Sequence, residues 1–128
     1  MNNFELIKQM YADFSTGNIG GVLGAFHQEI EWDECVGMPF VKDDGKYKGA
    51  DAVVGNVFMQ LGVYFDGFNV EVTDVFGGGD KVAMQGYYNG TNKATGNPFH
   101  ANATHIWTLK DGKVTHFFQA VDTAALIR

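Results

Sequence analysis

Residues 99–109 alternate with a period of two and without a break. Phe99, Ala101, Ala103, His105, Trp107 and Leu109 share one parity, while His100, Asn102, Thr104, Ile106, Thr108 and Lys110 share the other. Successive strand side chains point to opposite faces, so this is a long strand with one face toward a core. Residues 114–121 form a second such run, joined to the first by the hairpin signal Lys110-Asp111-Gly112-Lys113. Matching neighbours across that hairpin sets Phe117, Gln119 and Val121 beside His105 and Trp107. Val82, Met84, Gly86 and Tyr88 form a third inward row. The resulting wall is apolar and aromatic, broken only by Tyr88, His105 and Gln119, the composition expected of a small-molecule site.

The N-terminal half has a different period. Phe4, Ile7, Met10, Tyr11 and Phe14 recur at three- and four-residue intervals, which predicts an amphipathic helix ending at Thr16-Gly17-Asn18. Asn18 then caps a second helix carrying Ile19, Val22, Leu23 and Phe26. Residues 30–35 read as a strand, 37–48 as a flap-length loop, and 50–61 as a third helix through Val53, Val54, Val57, Phe58 and Leu61. Alternation begins again at Phe68. Three helices followed by a strand meander describe one α+β domain over residues 1–128.

Charge and residue usage remove several function classes. The net charge of −6 and the nine basic residues argue against a nucleic-acid partner. The single arginine is Arg128, so no internal guanidinium can clamp a phosphate or carboxylate. One cysteine, Cys35, allows no internal disulfide, and His27, His100, His105 and His116 lie on different elements or opposite faces, so neither a metal nor a cofactor is expected. No apolar stretch is long enough for a membrane span and no secretory leader is read at the N-terminus, which makes a reducing cytoplasm the expected compartment.

Several short motifs occur in a fixed order: Tyr11-x-x-Phe14-x-x-Gly17-Asn18, Trp32-x-Glu34, Gly45-x-Tyr47-x-Gly49 and Gly86-x-Tyr88-x-Gly90-Thr91. They continue with Ala94-Thr95-Gly96-x-Pro98-Phe99, His105-x-Trp107-Thr108, Asp111-Gly112-Lys113-Val114 and Gln119-x-x-Asp122-Thr123. In this order the chain resembles the NTF2-like superfamily, and within it the SnoaL-like, ketosteroid-isomerase-related branch. The resemblance implies a cone-shaped α+β fold, with three N-terminal helices packed on a curved, mostly antiparallel sheet around a pocket. It also implies a homodimer through the convex sheet face, where Ile106 and Phe118 would stand.

Counting from Gly17-Asn18, the branch's catalytic carboxylate falls on Glu34, with Asp33 as the alternative should the register slip by one. His105 occupies the place of an acid that stabilises an enolate. The branch's helix tyrosine position falls on Met10, with Tyr11 one step away, and this departure argues against steroid isomerisation itself. The lack of an internal arginine likewise argues against epoxide hydrolysis. The chemistry so implied is cofactor-free isomerisation or cyclisation of a small, largely apolar carbonyl compound. Glu34 would be base, His105 and Tyr88 would hold the developing oxyanion, and Gln119 would orient the substrate. Trp32, Met38, Phe40, Phe58, Trp107, Phe117 and Val121 would line the site. Two alternatives stay open: a non-catalytic ligand-binding or dimeric partner module, and a protein-transport adaptor.

Overall fold

The computed structural model describes all 128 residues. Six strands form one sheet in the order β2-β1-β6-β5-β4-β3. They are β1 (Phe26–Asp33), β2 (Lys46–Lys48), β3 (Phe65–Gly78), β4 (Lys81–Asn92), β5 (Pro98–Lys110) and β6 (Lys113–Val121). Only the β1–β6 pair is parallel. The β5–β6 hairpin turns through Asp111 and Gly112, both at positive φ (51° and 76°), as a two-residue turn with right-handed strand twist requires. It sets His105 opposite Gln119 and Trp107 opposite Phe117. The alternating row of β5 is buried at every inward position, from Phe99 to Leu109, and β4 adds Val82, Met84 and Tyr88.

Helix α1 (Asn3–Ser15) lies on the sheet with Ile7 and Met10 inward, its first turn capped by the Asn2 side chain on the Glu5 N–H (2.8 Å). The second helix is shorter than expected. α2 (Ile19–Gly24) stops at Gly24, and Phe26 belongs to β1, paired with Val114. Gly20, Gly21 and Gly24 make this a poor helix, whereas Phe26 gains a buried strand position. β1 accordingly runs from Phe26 to Asp33 rather than over 30–35.

The third helix is interrupted. α3 (Ala50–Val53) passes into a π-helical segment (Val54–Phe58) and then α4 (Met59–Tyr64). The widened turn loosens the regular ladder, and the side-chain amides of Asn56 and Gln60 reach the carbonyls of Ala52 and Gly55. The flap contains β2, which pairs with β1, and the chain ends on a short helix, α5 (Thr123–Leu126), anchored by buried Leu126. On the outer sheet face Ile106 and Phe118 are exposed (37% and 42%). No helix is long and apolar enough to cross a membrane.

Candidate functional site

The concave side of the sheet, α1 and the π-helical segment enclose a pocket of about 550 Å³, its mouth included, of which only a small part is wide enough for water. Fourteen of its 17 lining residues are hydrophobic, so the chemistry rests on the other three (Glu34, His105, Gln119) and on two tyrosine hydroxyls. Trp32 stacks on Phe117 with centroids 3.8 Å apart, and Phe58 stands perpendicular to Trp32 at 5.7 Å. Aromatic rings therefore form much of the pocket wall.

Glu34 follows the last residue of β1 and continues the inward row of Ile30 and Trp32. Its position is fixed by its own N–H, which donates to the Gly45 carbonyl at 2.8 Å. Gly45 has φ +74°, and a Cβ there would come within 2.6 Å of the Glu34 carbonyl, so only glycine allows this approach. The Glu34 carboxyl accepts one hydrogen bond, from Trp32 Nε1 (3.0 Å). Burial raises its pKa from 4.5 to about 7, with the Trp32 and Gln119 side chains pulling weakly the other way. The Gln119 amide therefore lies close to the Glu34 carboxyl, although its Nε2 makes no hydrogen bond of good geometry there.

The other polar groups form a directed chain. Trp107 Nε1 can only donate, and it does so to the Tyr11 oxygen (2.8 Å). Tyr88 gives its only hydrogen to Gln119 Oε1, so His105 must donate from Nε2 and accept the Tyr11 hydrogen on Nδ1 (2.6 Å). His105 then carries its proton on Nε2 and donates it to the Tyr88 oxygen (2.5 Å), and Tyr88 donates to Gln119 Oε1 (2.5 Å). Burial lowers the His105 pKa from 6.5 to about 3, which keeps the ring neutral as this chain requires. Burial also pushes both tyrosines far above their ordinary value, and the charge of Glu34 adds to the effect on Tyr88.

The chain ends in an imbalance. With Oε1 occupied by Tyr88, the Gln119 amide presents its NH₂ with no partner, although Gln119 is 4% exposed and lines the pocket. An unpartnered buried donor costs about 1–3 kcal/mol, and an oxygen atom on a ligand would remove that cost.

Of the residues singled out in the sequence, Glu34, His105, Tyr88, Trp32, Met38, Phe58, Trp107, Phe117 and Gln119 line this pocket. Asp33 does not. It faces outward and pairs with Lys46 (3.0 Å) and His116 (3.2 Å). Phe40 is buried beside Tyr64 and does not reach the pocket, and Val121 lies on the inward row outside the lining. Both His105 ring nitrogens are engaged by tyrosine hydroxyls, Nδ1 with Tyr11 and Nε2 with Tyr88. Tyr11 is the main residue the sequence did not place here, and Met10, Phe14, Leu61, Phe68 and Val70 join it.

The SnoaL-like domain family matches the chain over residues 7–117. No curated protein matches its sequence. Among solved structures, an NTF2-like protein from Burkholderia thailandensis is 32% identical, with a TM-score of 0.89 over 96% of this chain and 92% of its own. TerC, co-crystallised with polyporic acid, is 26% identical, with a TM-score of 0.84 over 96% of this chain and 93% of its own. A protein of ketosteroid isomerase-like fold from Catenulispora acidiphila, in complex with trimethylamine, shares the fold alone. It is 14% identical, with a TM-score of 0.79 over 96% of this chain and 89% of its own.

Proposed function

This chain belongs to the SnoaL-like domain family, and from that premise we propose that its pocket performs cofactor-free proton transfer on a small, flat, mostly apolar carbonyl compound. One observation carries the reading: a buried carboxyl poised near neutrality shares an apolar slot with an amide that lacks an acceptor. Glu34, with one acceptor bond from Trp32, takes a proton from the carbon next to the carbonyl. The electron pair left behind forms the enolate double bond, and the negative charge moves onto the carbonyl oxygen. The Gln119 N–H groups donate to that oxygen, and the Trp107–Tyr11–His105–Tyr88 chain keeps the amide turned that way. Where a carbon–carbon double bond is conjugated with the enolate, returning the proton to its far carbon completes an isomerisation; attack of the enolate carbon on a second carbonyl, with the Glu34 proton passing to the new alkoxide, completes an aldol closure. Dry aromatic walls support the chemistry by keeping the carboxyl basic. The co-crystallisation of TerC with polyporic acid supports a small organic occupant.

A second reading, ligand binding without turnover, has its own support in His105, whose two nitrogens are satisfied within the protein. Solvent deuterium exchange into 2-tetralone, followed by NMR in D₂O, separates the two. Catalysed exchange should rise with pH through about 7 and then level, because the base works ionised. Glu34→Gln should slow it at least about 100-fold. Saturable binding with no catalysed exchange, or exchange indifferent to Glu34→Gln, refutes the catalytic reading and leaves the binding one.

A further inference from the structure

A second cavity adjoins the first. It is an apolar surface groove in which eight of ten lining residues are hydrophobic. Phe14, Phe58, Leu61 and Phe68 line the groove and the inner pocket alike, so one thin partition of side chains separates the two spaces. Two of these four residues sit where the backbone departs from regular geometry. Phe58 ends the π-helical segment, and Phe68 sits where β3 bulges against β4 between Asp66 and Asn69. Widened turns and bulges of this kind re-aim side chains at sites. Phe58 is only half-buried and makes tilted or perpendicular contacts with Phe14, Phe26 and Trp32.

We infer that pocket and groove are two halves of one ligand site, and that the ligand is elongated: an oxygen-bearing ring reaches Glu34 and Gln119 while an apolar tail passes Phe58 and lies along the groove. The inference rests on the proposed reading of the inner site, and it names the class of molecule that site takes. The groove meets the pocket across these four shared side chains, and its apolar lining offers a tail burial without asking for polar partners. The net charge of −6 favours a neutral tail over an anionic one.

Para-substituted phenols test it directly, because the hydroxyl can engage the inner polar groups while the chain length varies. Calorimetric affinities of 4-propylphenol and 4-hexylphenol are measured for the native chain and for Gly62→Leu. Gly62 lines the groove but not the inner pocket, and an added Cβ meets nothing within 4 Å, so a leucine can be placed at the groove wall without a clash at its Cβ. Each buried methylene tightens binding roughly two- to fourfold. The hexyl compound should therefore bind the native chain about tenfold or more tightly than the propyl one, and Gly62→Leu should erase that gain while 4-propylphenol binds as before. Equal affinity for both phenols, or a gain that survives Gly62→Leu, overturns the elongated-ligand inference while the inner site stands. Failure of 4-propylphenol to bind at all overturns both.

Discussion

Glu34→Gln is expected to stabilise the chain by about 3 kcal/mol at pH 8 and to leave stability nearly unchanged at pH 4. The Glu34 pKa is raised from 4.5 to about 7 in the fold. Its contribution is therefore fully present below 4.5 and is lost as pH rises through about 7, because the unfolded chain ionises freely while the buried carboxyl resists. Glutamine keeps the volume and the acceptor for Trp32 Nε1 without the ionisation. His105 has the opposite sign. Its pKa falls from 6.5 to about 3, so its contribution is present above 6.5 and lost as pH falls through 3. Between pH 4.5 and 6.5 the two slopes cancel, and the native chain should show a flat stability profile from this pair. In Glu34→Gln only the histidine slope of this pair remains, and it contributes a rise of about 5 kcal/mol from pH 3 to 6.5. Urea unfolding at a series of pH values reads both effects. The difference between the two chains isolates Glu34, because every group common to both, His105 included, drops out. Equal stability at pH 8 would mean that the carboxyl is ionised without penalty.

Tyr11→Phe should destabilise the fold by about 3 kcal/mol, far more than Tyr47→Phe, which removes an exposed bond to Asp43 and should cost within about 0.5 kcal/mol. The loss of one hydroxyl orphans two buried groups at once, Trp107 Nε1 and His105 Nδ1. Phenylalanine fills the same space, so the cost is polar rather than steric. ¹⁵N NMR of the imidazole adds a readout that packing alone would not move. The native ring should carry its proton on Nε2, and Tyr11→Phe should release that preference. A native ring protonated on Nδ1 would reverse the direction of the chain and remove the reason for Gln119 to present its amide hydrogens.

How much of this was legible in the sequence depended on the range of each contact. The β5–β6 wall could be read because parity and a two-residue turn fix register locally, and His105 opposite Gln119 follows from counting. Glu34 is favoured by the family resemblance, but the choice between it and Asp33 stays open until the strand register is known; Ile30 and Trp32 prove inward, which puts Glu34 inside and sends Asp33 outward to Lys46 and His116. Tyr11 could not be placed. A helix carries neighbouring residues 100° apart, so Met10 and Tyr11 both border a wide pocket, and the bond that gives Tyr11 its role spans 96 residues. Phe26 fitted a helical spacing with Val22, and only its pairing with β6 draws it into a strand. The π-helical segment has no period of its own, and β2, three residues long, is too short to show one. Phe40 could be assigned to the flap but not to a direction, because a loop has no parity.

The most direct measurement is the titration of the Glu34 side-chain carboxyl by ¹³C NMR, assigned by its loss in Glu34→Gln. A midpoint near 7, moving on addition of 4-propylphenol, is the expected result. A midpoint near 4.5, indifferent to the phenol, would show a solvated carboxylate and contradict a buried base in this pocket.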